Sequence, residues 1–176
     1  MEHPDPTTYA VIGAKPICTA CKSDTVQREA SALWNPLRGR WELNVVFDKI
    51  HCSRCNSETT FDWQIDKVFR KKRIQRLNDA FRRGEVLHGS VMITEGVQAF
   101  GPDVVATLLE QVALFTDFSE VNDPHHEHDF GSIEVDHEKV FWKIDCFDRD
   151  LKWHSPDAAN PEVTHRVLTV MLAIEY

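Results

Sequence analysis

Two sets of residues in this chain have the types and spacing to do chemistry. The first is a pair of knuckles, CTAC and CSRC, which hold Cys18, Cys21, Cys52 and Cys55. A Cys-x-x-Cys turn directs two thiolates at one centre. Two such turns complete the tetrahedral set that zinc accepts without a geometric preference of its own. Matched pairs flanking strands read as metal ligands rather than as disulfides or a redox site. Four thiolates leave no open position, so the expected zinc, one per chain, is structural. His51 adjoins Cys52 as a further candidate ligand, which the fourth thiolate makes unnecessary.

The second set is NDPHHEHDFG, Asn122 to Gly131, with three histidines and three carboxylates in ten residues. Such a run suits a metal site, an acid–base centre or a polar turn feeding a strand. The segments after it, FGSIEVD and KVFWKIDCF, read as two strands joined at His137-Glu138, with Asp136 opposite Lys139. That register puts Gly131, Ile133, Val135, Val140, Trp142 and Ile144 on a core face, with Cys146 a small buried residue beyond them. The other face carries His128 and Glu134 against Lys143 and Asp145, and makes His128 and Asp145 diagonal neighbours. The candidate acid–base residues are therefore His128, Asp145, Glu127, Asp129 and Lys143, none fixed as catalytic. The alternative is a hydrogen-bond and ion-pair network that holds the loop onto the hairpin.

These residues need elements to position them. Residues 1–15 read as a flexible arm and 16–65 as a β-rich zinc ribbon. In RWELNVVF, the residues Trp41, Leu43, Val45 and Phe47 alternate to one face, and in VQREASALW so do Val26, Ala30, Ala32 and Trp34. NPLRGR supplies the turn between them, and SETTFDW a third strand. Residues 66–88 read as a basic linking helix with Ile74, Leu77 and Phe81 on one stripe. Residues 89–176 read as an acidic α+β domain. It holds a short strand over 91–97, a helix led by Pro102, the hairpin, and a buried final helix with Asn160 as N-cap and Pro161 following. The fold class is thus α+β: a zinc ribbon followed by a small domain with a β-hairpin packed on helices.

Charge follows the same division. The net charge of −8 comprises −1 over residues 1–65, +5 over 66–88 and −12 over 89–176. On the basic helix, Arg70, Lys71, Arg73 and Arg76 are the candidate phosphate contacts. The alternative is a solvated face that pairs with the acidic domain. No apolar run approaches a membrane span and the first residues do not read as a signal peptide, so a soluble cytoplasmic protein is expected.

RLNDAFRR, ITEGVQAFG, NDP, EHDFG, FWKID, SPD and VTHRVLTVMLAIEY together carry a resemblance. From Ile74 to Tyr176 the chain resembles a bacterial family, domain of unknown function thirty-seven sixty-eight. The family pattern reads Asn-Asp-Pro-Tyr-Gly-Glu-His-Asp-Phe-Gly. Asn122, Asp123, Pro124 and Glu127 to Gly131 match it, whereas His125 and His126 depart. The resemblance therefore implies that a site needing those two histidines is no family trait. It brings no activity with it. The ribbon half is similar to segments found beside that domain in often plasmid-borne proteins, which implies an inhibitor of a host defence complex.

The reading is a non-enzymatic, zinc-stabilised binding protein acting on a protein or a protein–nucleic-acid assembly. Direct nucleic-acid binding is expected to be weak at most, since the acidic domain repels phosphates. The rivals are an enzyme using His128 with Asp145 or Glu127, and a DNA-binding regulator using the basic helix. No phosphate-cradling glycine loop or nucleophile elbow supports the enzyme.

Overall fold

The computed structural model describes residues 12–85 and 88–176. It is α+β and divides into two compact units, Gly13–Asp66 and Lys67–Tyr176, the second joined by Ile12. Of the segment read as a flexible arm, residues 1–11 lie outside the described residues. Ile12 bonds to the second unit, and Ala14 already begins a strand.

The first unit holds two small sheets. Strand β1 (Ala14–Cys18) pairs antiparallel with β5 (Phe61–Ile65). Strands β2 (Val26–Asn35) and β3 (Arg40–Cys52) form a long hairpin, and β4 (Ser57–Glu58) touches only the last two residues of β3. The segment read as one third strand, SETTFDW, is therefore split between the two sheets. The Asn35 side chain accepts from the Leu37 and Arg38 amides, which shapes the hairpin turn, and Gly39 supplies its positive φ of 61°.

The expected face of β3 is not a simple alternation. Ala32 pairs with Leu43, but its neighbour Ser31 pairs with Val45, so β3 carries one extra residue there. A bulge of this kind moves every later side chain to the opposite face. One face consequently carries Trp34 with Trp41, Ala32 with Leu43, and Ala30 with Val46, while Val45 lies on the other. The β2 set read from the sequence stays together.

The second unit is a four-stranded sheet with helices on one side. Strand order is β6 (Gly89–Ile93), β9 (His165–Leu172), β8 (Glu138–Phe147), β7 (Phe130–Val135), and only the β6–β9 pair is parallel. Helix α1 (Lys67–Arg82) brings Phe81, α2 (Glu95–Gln98) brings Val97, and α3 (Pro102–Leu114) brings Leu108 and Val112 against Val140, Trp142, Ile144, Leu168 and Val170. Trp142 pairs across with Val170 and Ile144 with Leu168, so these strand residues share one face. Gly131 is required beside them, because a Cβ there would sit 2.6 Å from the Trp142 indole.

Four expectations change here. The final segment is a strand, not a helix. Its buried apolar residues fall on both faces, with Leu168 and Val170 toward the helices and Val167 and Met171 on the other side. Periodicity alone does not separate that pattern from a buried helix, and the β-branched Val167, Thr169 and Val170 favour the strand. Asn160 caps no helix; its side chain accepts from the Glu162 amide in a turn. The β7–β8 turn is Asp136-His137, both at positive φ, so Glu134 stands opposite Lys139 and Val135 opposite Glu138. This differs from the expected register by two residues, which leaves the two faces as read. The strand read over 91–97 ends at Ile93, where Thr94 turns the chain into α2.

Candidate metal centre

Each knuckle is built the same way. Cys18 ends β1 and Cys52 ends β3, so the strand fixes the direction of the first ligand. The residue after the second cysteine then turns the chain back: Lys22 has φ 60° and Asn56 has φ 52°. Asparagine adopts this conformation readily, whereas lysine does so at some cost. The backbone amides of Ala20 and Cys21 point at the Cys18 sulfur, and those of Arg54 and Cys55 at the Cys52 sulfur. Such amides favour thiolate over thiol.

The four sulfurs lie within 4.8 Å of one another, with Cys18 Sγ 3.9 Å from Cys55 Sγ and Cys21 Sγ 3.6 Å from Cys52 Sγ. A disulfide needs about 2.05 Å. A tetrahedron of ~2.3 Å metal–thiolate bonds has edges of about 3.8 Å, so the spacing fits a metal and not a pair of bridges. Without metal the thiols cannot all ionise together. Cys18 is pulled down to about 6, chiefly by the Thr59 hydroxyl 3.2 Å away. Cys55 is pushed up to about 12, chiefly by the neighbouring Cys21, with burial adding to it. A divalent cation removes that conflict by balancing the charge. His51 is not in the cluster; strand alternation sets it on the opposite face from Cys52, beside Glu58. The sequence did not single out Thr59 or Thr25, whose hydroxyl lies 3.8 Å from Cys52 Sγ.

The five acid–base candidates of the second unit separate into two groups. His128 has φ 53°, which turns it out of line with β7 and away from Asp145. Its ring lies flat on Phe118 at 3.6 Å. Nδ1 is 2.9 Å from Asp79 Oδ1 and Nε2 is 2.6 Å from the Gln75 amide nitrogen. The arrangement is satisfied when Nδ1–H donates to Asp79 and Nε2 accepts from Gln75, which leaves no ring nitrogen free to move a proton. The buried Asp123 carboxylate accepts from the Glu127 and His128 amides and fixes the loop. The proposed diagonal pair of His128 with Asp145 is therefore not formed. The expected register carried the strand through His128, but β7 starts only at Phe130 and the chain is no longer extended at His128.

Asp145 is paired instead with Lys143 at 2.8 Å, on the face of the sheet without helices. With Asp129, His125 and Tyr176 they border an open depression of about 370 Å³. Burial pushes the Asp129 carboxyl above its ordinary range, and the charges of Asp123 and Asp145 add to this. Burial likewise raises Glu127, helped by the Asp129 charge and opposed by His125 and Lys71. The ionised form of Glu127 thus destabilises the fold, and its contribution to stability is lost as the pH rises through the raised pKa. Glu127→Gln is expected to raise the melting temperature at pH 7, with the gain vanishing below about pH 4, where both states bind the proton. A melt series across pH checks the sign.

His128→Ala removes the partner of Asp79 and the stack on Phe118, and is expected to cost ~1–3 kcal/mol. Replacing His125 and His126 together is expected to cost much less, since both are exposed; His126 makes only a surface contact of 3.3 Å with Glu120. Equal losses in thermal melts would contradict the network just described.

Three cations of the basic helix are engaged within its own domain, while Lys67 and Lys72 are exposed. Arg70 pairs with the buried Asp157 at 2.7 Å and donates to the Ile12 carbonyl; Arg73 donates to the Ala159 carbonyl. Arg82 is buried and bonded to Asp79. Lys71 and Arg76 remain exposed.

Residues 93–175 match the family described as Protein of unknown function (DUF3768). The match begins at the last residue of β6, so α1 and its RLNDAFRR motif lie outside it, although α1 supplies Gln75, Asn78, Asp79 and Arg82 to the polar network. No curated protein and no solved structure matches the chain. No helix among the described residues is long and apolar enough to cross a membrane.

Proposed function

We propose that the chain is a zinc-stabilised binding protein whose metal-clamped unit docks onto a protein or a protein–nucleic-acid assembly. The observation that carries this is the closed set of four sulfurs at the base of a long hairpin with exposed apolar residues. A complete thiolate set has no coordination site for a substrate, so the metal's work is to fix the hairpin's base. Thiolate ligands and a tetrahedral spacing favour zinc over harder cations. Large apolar side chains held in water on a fixed scaffold are what protein interfaces use. Nucleic acid takes a secondary place, because Arg70, Arg73 and Arg82 are engaged inside the domain and the remainder of that domain is acidic. The resemblance to plasmid-borne neighbours makes a host defence complex the first assembly to examine.

The test uses the full chain and its Cys52→Ser variant as baits in extracts of the source cell. Proteins retained by the first and lost by the second support the reading. Identical retention by both would place binding in the acidic domain and contradict it.

A further inference from the structure

The hairpin presents an apolar face that nothing among the described residues covers. Trp34 is 51% exposed, Trp41 68%, Leu43 69% and Val46 42%, and the pairing register puts all four on one face with Ala30 and Ala32. The two tryptophans are locked edge to face, 5.7 Å between centroids, so the surface is preformed. We infer that a second copy of this chain packs on this face, making the protein a twofold homodimer through its hairpins. The inference rests on the hairpin being the binding element and names what lies against one of its two faces.

Three observations favour a second copy. The first is area: two tryptophans, a leucine and a valine at these exposures present roughly 500 Å² per copy, hence about 1,000 Å² in total, the floor for a specific interface. The second is charge. The whole chain carries −8, which opposes self-association, but Val26–Cys52 holds four cations (Arg28, Arg38, Arg40, Lys49) against three carboxylates (Glu29, Glu42, Asp48). Copies therefore meet with little repulsion here, at a net +1 each, and two of those cations, Arg38 and Arg40, are already held by Glu42. The third is shape. The bulky end of the face is the Trp34–Trp41 pair and the slim end is Ala30 with Val46. A twofold axis near Leu43 sets bulk against hollow in both halves, as a self-complementary interface requires. The register shifts in β2–β3 twist the hairpin edges and disfavour edge-to-edge growth, which leaves the face as the route of contact.

Sedimentation of the metal-loaded full chain at concentrations up to about 100 μM tests this. The expected species has twice the 20.3 kDa chain mass. Trp41→Ser with Leu43→Ser is expected to weaken the dimer at least ~100-fold with metal content unchanged, since these side chains contribute nothing to the buried interior. Leu33→Ser with Val45→Ser, on the opposite face, is expected to leave it intact. A monomeric wild type, or a dimer that the first variant leaves whole, would overturn the assignment. Should a variant lose metal, Leu43→Arg provides the same test at a single exposed position. A monomer that still retains its partner through the metal-clamped unit would sink only the second copy. A dimer whose Cys52→Ser variant retains every partner would sink only the proposed function.

Discussion

Cys52→Ser is expected to release the metal and unfold the Gly13–Asp66 unit while the acidic domain stays folded. Among the residues of that unit only Cys18, Ser23 and Cys52 are buried. There is no apolar core to hold two small sheets together once the sulfurs separate. In units of this kind metal binding and folding are one event, worth ~10–16 kcal/mol for zinc at neutral pH. Losing one thiolate of four, and that one fully buried at the end of β3, removes enough of it to leave the hairpin unanchored. The acidic domain has its own interior around Trp142, Val170 and Leu108, and draws nothing from the cysteines. Amide spectra check both halves of the expectation. Resonances of residues 13–66 should collapse to unfolded positions while those of β8 and β9 stay put. A variant whose hairpin resonances remain dispersed would show that packing, not metal, holds the unit.

Asp79→Ala is expected to be the most damaging single change at the surface of α1, costing about 3–5 kcal/mol. Asp79 accepts from Arg82 at 2.7 Å and faces His128 Nδ1 at 2.9 Å. Burial raises its carboxyl, but the hydrogen bonds from Arg82 and His128 outweigh that and hold it below the ordinary aspartate range. The side chain of Arg82 is 1% exposed and lies over the rings of Phe118 and Trp142. It also donates to the Val112 and Ala113 carbonyls at the end of α3, which cannot neutralise a charge. Truncating Asp79 therefore strands a buried guanidinium, where His128→Ala strands only a neutral pair. A carboxyl whose folded pKa is depressed stabilises the domain above the unfolded pKa and loses that contribution as pH falls through the folded one. Denaturant titrations at pH 7 should show the larger loss for Asp79→Ala, narrowing below about pH 4. Equal losses for the two variants would mean that Arg82 is satisfied without Asp79.

The four-cysteine cluster was legible because its signal is local. Two Cys-x-x-Cys turns declare their geometry within four residues each, and the strands around them need only bring the turns together. The basic helix and α3 were legible for a similar reason, since an amphipathic period repeats every few residues. The surroundings of His128 were not. Gln75, Asp79 and Phe118 reach it from α1 and the segment after α3, and no spacing in the sequence links them to EHDFG. The single positive φ at His128 decides which way the ring turns, and a strand register carried two residues too far assigns it to the wrong partner. The last strand was misread because a central strand and a buried helix are both apolar throughout, and only the β6 and β8 partners on either side of β9 settle it. On β3, one extra residue near Asn44 reassigns Val45 to the opposite face, and the alternation pattern gives no sign of it.

The metal content of the purified full chain tests the central claim most directly. Elemental analysis should find one zinc per chain, and cobalt substituted at the same site should show the intense thiolate charge-transfer bands and d–d spectrum of a tetrahedral four-sulfur centre, both lost in Cys52→Ser. A metal-free chain with a folded hairpin, or a cobalt spectrum lacking thiolate ligation, would contradict it.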